Sequence, residues 1–573
     1  MQHGWRTVER AEAIGERGVV AAKHRLASEA GVRMFALGGN AMDAAIAAAF
    51  ASGVVEPMMS GLGGGGVLIV HDPADGRAYC VEFGMRSPAL ATPDCYELGA
   101  GRSPEVFKWR QVRDEANTVG HRAVAVPGAV AGYTTALARW GKLPLATVMQ
   151  PAIELAATAL PTDWYHSVLV GRALAHLRRF PASAAIFLDS GDPPRAIDLD
   201  LNGGSLRQDD LARTLALIAT GGADAFYRGP LAAALDAEMR ANNGLVRAED
   251  LAAYRAVIRP ALTVRYRERM IATVPGPFGG VTMAQMLRIL DGFDLAGAGD
   301  NTATGLHLIA EASRLAFADR FAHLADPEVV PTPFAGLLTD GYIAARRAAI
   351  DPRRAHGTPT AGDPWPYEPG GRPSTTPPTS GPGPAHSDTT HLCAADRDGL
   401  AVSLTSTLMS SFGSAVTVPS TGILLNNGMS WFDPEPGRAA SLGPNRRPLT
   451  NQTPAIVLDE AGPQLVVGAS GGRRILDAVA QLIIKVVDFG QGPQAAINAP
   501  RVDCSEPGRL LIDDRVGQAT LDALAALGHE IRPIQDDFFV GAFASPTAIG
   551  YDRPSGTLRG GADQLSPALA VGV

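Results

Sequence analysis

"PGPAHSDTTHLCAADRDGLAVSLTST", residues 382–407, changes character in its middle. Its first part continues a Pro/Gly/Ser-rich run, whereas from Thr389 the residues alternate as in a strand. Residues 389–395 and 400–407 read as the arms of a hairpin. Arg397, Asp398 and Gly399 form a three-residue loop between them, with glycine in the left-handed position. Asp396 then pairs with Leu400, and counting back along both arms sets Thr389 opposite Thr407, with Cβ atoms about 5 Å apart. A two-residue Asp398–Gly399 turn puts Thr407 on the other face, but Asp396–Arg397–Asp398–Gly399 better suits the type I turn of the longer loop.

Two facing hydroxyls at the start of a strand suit one chemistry well. If the Asp388–Thr389 bond is cut, Thr389 gains an α-amine beside its own hydroxyl. Such an amine has a pKa of about 8 and can serve as general base, so one residue supplies both nucleophile and base. In the uncut chain, Thr389 Oγ1 is placed to attack the Asp388 carbonyl, with Thr407 positioning the attacking oxygen. The plainer alternative is that Thr389, Thr390 and Thr407 are β-favouring residues of an ordinary hairpin.

Upstream, residues 351–388 hold ten prolines and few aliphatic residues. That composition buries too little apolar surface to offset the entropy of ordering, and predicts a flexible segment. Elsewhere helices alternate with short strands. "AMDAAIAAAFASGVV" (41–55) and "GLHLIAEASRLAFADRFAHL" (305–324) read as helices; "LARTLALIATGG" and "LAAALDAEMRANNG" read as helices stopped by glycine. "GGVLIVHD" (65–72), "RMIATVPG" (269–276) and "PQLVVGAS" (463–470) read as strands. "SGLGGGG" (60–66) lacks a following Gly-Lys-Ser/Thr, so close backbone packing is expected rather than a phosphate loop. "GGNAMDAA" reads as a turn capping a buried helix, with Asp43 structural.

The chain has 573 residues, 46% hydrophobic and 19% charged, with a net charge of −8. That is globular composition without the basic footprint needed to bind nucleic acid or an anionic membrane. "MQHGWRTVERAEAIGERGVVAAKH" mixes charges and is not a Sec signal peptide, and no apolar run of spanning length follows, so a cytoplasmic location is expected. Cys80, Cys95, Cys393 and Cys504 lack CxxC spacing, and the histidines lack HExxH. Neither a metal nor a cofactor is expected.

A second catalytic reading competes. Gly468-Ala469-Ser470-Gly471-Gly472 fits G-x-S-x-G between a strand and a helix, and Asp513, Asp514 and His529 follow in the chain order of an α/β-hydrolase triad. It leaves the abrupt edge at Thr389 unexplained. A third reading is an unprocessed, non-catalytic relative acting as a binding protein.

Motifs along nearly the whole chain carry a resemblance. They are "GGNAMDAAIA" (38–47), "VVEPMMSGLGGGGVLIV" (54–70), "VAVPGAVAGY" (124–133), "PLATVMQPAIELA" (144–156), "EASRLAFADR" (311–320), "DTTHLCAADRDG" (388–399), "STGILLNNGM" (420–429), "GPNRRPLTNQTPAIV" (443–457) and "GASGGRRI" (468–475). In this order they resemble the γ-glutamyltransferase family of N-terminal-nucleophile hydrolases. The resemblance implies an α+β fold, a four-layer αββα sandwich. It is made as one proenzyme and cut into two intertwined chains, a large chain 1–388 and a small chain 389–573, which stay together as a heterodimer. It implies cleavage between Asp388 and Thr389, Thr389 as nucleophile, Thr407 as its assistant, and Gly471 and Gly472 as the oxyanion hole. Glycine lets two amides converge on a developing negative charge. The substrate is then a small amide, and the acceptor is water or an amine.

The positions that grip a glutamyl group depart from the family pattern. The asparagine two residues after the second threonine is Met409 here. "NNQMDDF" becomes "NNGMSWF", so its glutamine is Gly428 and its amine-binding carboxylate is Trp431, with Asp433 two residues further on. The serines of "RPLSS" become Thr450 and Asn451. The arginine of "REMAP" is replaced by "GMRSP", which displaces it to Arg86, still facing the pocket if the stretch is extended. Met409 and Trp431 offer apolar surface in place of polar partners. The cephalosporin-acylase-like branch is similar in this respect, and Arg86 is then expected to bind the distal carboxylate of a glutaryl-like acyl group.

Overall fold

All five residues of the strand Gly18–Ala22 are buried, yet alternate side chains go opposite ways. Val19 and Ala21 join one apolar cluster, Val20 and Ala22 another. The same division holds for Val67 and Ile69 against Leu68 and Val70, and for Cys393 and Ala395 against Leu392 and Ala394. A strand with apolar neighbours on both faces reads as a continuous hydrophobic run.

This computed structural model describes residues 10–102, 109–198, 202–371, 388–506, 508–537 and 541–573. Two antiparallel sheets are stacked. The first is ordered Leu569–Gly572, Gly18–Ala22, Asp388–Asp396, Ala401–Met409, Gly65–Asp72, Arg77–Phe83, Val257–Pro260. The second is ordered Ala13–Gly15, Thr557–Ala562, Ser545–Asp552, Gly462–Ser470, Ala455–Asp459, Arg269–Thr273, Leu262–Tyr266. Between them lies the core of Val19, Ala21, Val67, Ile69, Cys393, Ile456, Val466 and Ile549. Outside the first sheet pack the helices Arg25–Ala36, Ala41–Val55, Ala129–Trp140 and Leu145–Ala157; outside the second, Gly280–Leu290, Ala303–His323 and Arg474–Val487. The result is the αββα sandwich. Each sheet draws strands from both sides of residue 388, so the two stretches are woven together. Among the described residues no helix is long and apolar enough to cross a membrane.

Helix Ala41–Val55 is buried all round, which its alanines permit. Asn40 caps it and Asp43 completes the capping box; the Asp43 carboxylate also accepts the Lys142 and Leu143 amides. "SGLGGGG" packs against the Thr389 hairpin: a Cβ on Gly64 would lie 2.4 Å from the Thr407 carbonyl oxygen.

Three expectations need correction. The helix containing "LARTLALIATGG" does not stop at its glycines. It breaks at Gly222 (φ +63°) and resumes, so that the whole element runs Asp209–Tyr227. After Pro230–Ala241 the left-handed residue is Asn243, not Gly244. The flexible segment expected over 351–388 is packed over 351–371. There the His356 amide donates to Glu311, the Gly362 amide to Asp319, and Trp365 is buried. Composition averages over a few such anchors, and it is these that fix the chain. Residues 372–387 lie outside the described residues.

Candidate active site

The hairpin has the expected register, from Ala395 opposite Ala401 back to Thr390 opposite Ser406. Gly399 takes φ +90° and its amide donates to the Asp396 carbonyl, closing the three-residue loop. At its open end the register shifts, and Asp388 lies opposite Met409. Thr389 sits in this irregularity. Its Oγ1 donates to Thr407 Oγ1 at 3.2 Å, and Thr407 Oγ1 donates to the Asp388 carbonyl oxygen at 2.8 Å. The Met409 amide donates to the same Thr407 oxygen at 2.8 Å, and Met409 is held at φ +84°. The carbonyl of the 388–389 bond and the hydroxyls of Thr407 and Thr389 thus form one hydrogen-bonded chain. Both threonines are buried.

The supporting groups come from other strands and helices. Lys23, just beyond the strand Gly18–Ala22, donates to the Thr389 carbonyl at 3.4 Å and lies 5.6 Å from the Tyr165 ring centroid. Burial works against its ammonium, but Tyr165, Glu56 and Asp388 together outweigh it and raise the pKa. Thr390 Oγ1 donates to Glu56 Oε2 at 3.2 Å. Burial raises Glu56 to about 7, against the pull of Lys23 and Thr390. His391 is enclosed between the sheets with Nδ1 2.9 Å from Thr405 Oγ1, and burial lowers its pKa to about 3. It is a neutral packing group.

A cavity of about 550 Å³ opens beside Asp388 and Thr389, lined also by Lys23, Tyr165, Arg172, Gly471 and Arg474. Gly471 and Gly472 form the turn between the strand Gly462–Ser470 and the helix Arg474–Val487, at φ +134° and +68°. Only glycine takes such angles readily. A Cβ on Gly471 would also lie 2.9 Å from Ala544 Cα.

The positions expected to read the substrate are distributed otherwise. Met409 and Trp431 are buried in one apolar cluster with Met85, Phe321 and Met429. Gly428 lies against Ala125, where a Cβ would come within 2.8 Å. Thr450 Oγ1 donates to Gln452 Oε1, and Asn451 Oδ1 accepts from Arg320. None of these six positions, Arg86 included, is among the described residues lining the Thr389 cavity. Arg86 departs furthest from expectation: it pairs with Glu328 at 3.1 Å and borders a separate cavity of about 20 Å³. The nearby carboxylate captures it, and nothing in "GMRSP" signals that partner. Asp433 is buried, with Arg438 Nε at 3.7 Å.

The Ser470 triad is not assembled. Ser470 Oγ donates to the Ser545 carbonyl at 3.4 Å, and Asp513 grips Arg515. His529 lies instead with His307, 2.8 Å away, and Arg314. His307, Glu311 and His529 bring potential metal-binding atoms within 4.8 Å of one another. Arg314 Nη1 lies 3.3 Å from Glu311 and 3.1 Å from His529, so a guanidinium already supplies the positive charge there. Burial, then Arg314, then His307 lower His529 to about 3. Lys23, Tyr165, Arg172 and Arg474 in the cavity lining, and Glu56 and Arg473 beside it, are residues the sequence reading missed; for Lys23, Glu56 and Arg473 the available signal was a charge set in an apolar or glycine-rich run.

A threonine at the head of an inner strand of an αββα sandwich defines an N-terminal-nucleophile hydrolase. Residues 27–572 match the gamma-glutamyltranspeptidase family model, and the chain belongs to that family. It is 40% identical over 558 residues to the acylase ACY 1 proenzyme of Pseudomonas sp. (strain SE83), covering 97% of this chain and 93% of that protein. It is 35% identical over 563 residues to the glutathione hydrolase proenzyme of Bacillus subtilis (strain 168), covering 98% and 92%. The crystal structure of cephalosporin acylase from Bacillus halodurans superposes with a TM-score of 0.86 at 27% identity, covering 100% of this chain and 99% of the other. The protein is thus an amide-cleaving enzyme of the family.

Proposed function

We propose that the chain cuts itself between Asp388 and Thr389, and that the freed Thr389 hydrolyses acyl amides whose acyl group lacks the α-amine of a γ-glutamyl group. The hydrogen-bonded chain from Thr389 Oγ1 through Thr407 Oγ1 to the Asp388 carbonyl carries the first part. Thr389 Oγ1 attacks that carbonyl, Thr407 stabilises the charge that builds on its oxygen, and the peptide nitrogen leaves as the new α-amine. The residual ester between Thr389 Oγ1 and Asp388 is then hydrolysed. In the two-chain heterodimer, residues 1–388 and 389–573, the α-amine takes the proton of Thr389 Oγ1 as it attacks substrate. Gly471 and Gly472 receive the oxyanion, and water or an amine releases the acyl group.

The second part rests on Met409, whose amide meets Thr407 Oγ1, and on Trp431; both sit in one apolar cluster outside the cavity lining, and neither offers an ammonium a carboxylate. Stranding a buried charge without its partner costs several kcal/mol. Turnover of γ-glutamyl and glutaryl anilides tests the reading: glutaryl is expected to be preferred, and a strong γ-glutamyl preference contradicts it. The free cysteines Cys80, Cys393 and Cys504, all buried, support a cytoplasmic location, which fractionation tests.

A further inference from the structure

Arg473, the residue after Gly472, is fully buried, and none of its three guanidinium nitrogens has a hydrogen-bond partner among the described residues. Its Cζ lies 5.8 Å from the Phe321 ring centroid. Burial pulls its pKa down to about 10, with Asp503 and Glu506 acting the other way. Asp503 gives its own oxygens to Ser505 rather than to the guanidinium.

Arg320 is buried nearby. Its Nη1 donates to the Phe278 carbonyl at 2.9 Å, and its Nη2 to the Thr450 carbonyl at 2.6 Å and to Asn451 Oδ1 at 3.0 Å, while Nε is unmatched. Burial, then the charge of Arg473, lowers its pKa to about 9. Asn451 Nδ2 and Gln452 Nε2 are buried donors without acceptors as well. Every unmatched group in this cluster is a donor, and two of them carry positive charge. Asp503 and Glu506 lie near enough to act on the charge of Arg473, but none of these donors has an acceptor, which is what a bound anion would supply.

The surroundings narrow the anion's class. Phe321 belongs to the apolar cluster that holds Met409, Trp431 and Leu476. Asp388 lies opposite Met409 across the hairpin, and a cut at 388–389 frees it from that pairing. In the uncut chain the guanidinium is enclosed, so the proposal concerns the cut protein. We propose that Arg473, backed by Arg320, binds the free carboxylate of a dicarboxylic monoacyl group whose methylenes lie against Met409 and Trp431. The proposal rests on the amidohydrolase reading above and deepens it: carboxylate recognition moves from Arg86, engaged with Glu328, to the turn that carries the oxyanion glycines. A planar guanidinium meets a carboxylate through two parallel hydrogen bonds, which fixes the acyl chain end to end.

The test uses the processed protein and its Arg473→Met variant on glutaryl and pentanoyl anilides, which share a chain length and differ in the carboxylate. With the variant, kcat/KM on the glutaryl anilide is expected to fall about 100-fold, and on the pentanoyl anilide less than about five-fold. Glutarate is expected to raise the melting temperature of the wild-type protein and not that of the variant. Equal losses on both substrates, an unchanged ratio, or a variant that no longer folds would each make Arg473 a structural group and overturn the proposal. Collapse of the ratio in Arg86→Met instead would restore Arg86. If neither anilide is turned over by wild type, the amidohydrolase reading fails by itself, and the glutarate shift still decides the role of Arg473.

Discussion

At the scale of single residues, the site turns on one hydroxyl that touches both the nucleophile and the bond to be broken. Thr407 Oγ1 accepts from Thr389 and donates to the Asp388 carbonyl. Thr407→Val keeps the shape and removes that donor. Self-cleavage is expected to slow roughly 10²–10³-fold, the usual cost of losing one oxyanion donor. Thr407→Ser, which keeps the hydroxyl, is expected to stay within about ten-fold; a denaturing-gel time course measures both. His391, enclosed and neutral with a pKa of about 3, does not titrate in the working range. The acid limb of kcat/KM is then expected to follow the Thr389 α-amine, with the ordinary pKa of about 8 for such a group, falling about ten-fold per pH unit below it. The closeness of Thr389 and Thr407 was legible because turn chemistry fixes the register of a short hairpin; the irregularity that sets Asp388 opposite Met409 was not. The partners of Arg86 and Arg473 were not, because ion pairing and its absence depend on residues distant in the chain.

At the scale of elements, the two sheets meet closely where the Thr389 strand crosses the strand Gly462–Ser470. A Cβ on Gly468 would lie 2.2 Å from His391 Cε1, between two layers that have nowhere to go. Gly468→Ala is expected to destabilise the fold by about 1–3 kcal/mol, read as a lower urea midpoint. The strands Gly65–Asp72 and Gly462–Ser470 were readable as apolar runs because both their faces are covered. Helix ends were less so. Whether Gly222 ends a helix or only breaks it is decided by what packs beyond it, and the same is true of residues 351–371, where buried carboxylates of the helix Ala303–His323 anchor a proline-rich chain.

At the scale of the whole molecule, strands from both sides of residue 388 share each sheet, so a cut there separates chain ends without separating layers. The buried Glu56 beside the nucleophile strand leaves a trace in global stability. Burial raises it to about 7, so the folded protein holds this proton more tightly than the unfolded chain does. Its stabilisation is complete below about pH 4.5 and is lost as pH rises through about 7, a difference on the order of 3 kcal/mol. Urea midpoints measured from pH 4.5 to 8 are expected to fall less steeply in Glu56→Gln than in wild type; parallel curves would contradict this. The αββα architecture itself was foreseen from motif order, while the apolar filling around Met409 and Trp431 needed coordinates to see. The most direct test of the central claim is the intact mass of the purified protein under denaturing conditions, beside that of Thr389→Ala. Wild type is expected to give two masses matching residues 1–388 and 389–573, and the variant one uncut mass. Active wild-type protein with a single mass, unbroken between Asp388 and Thr389, would contradict it.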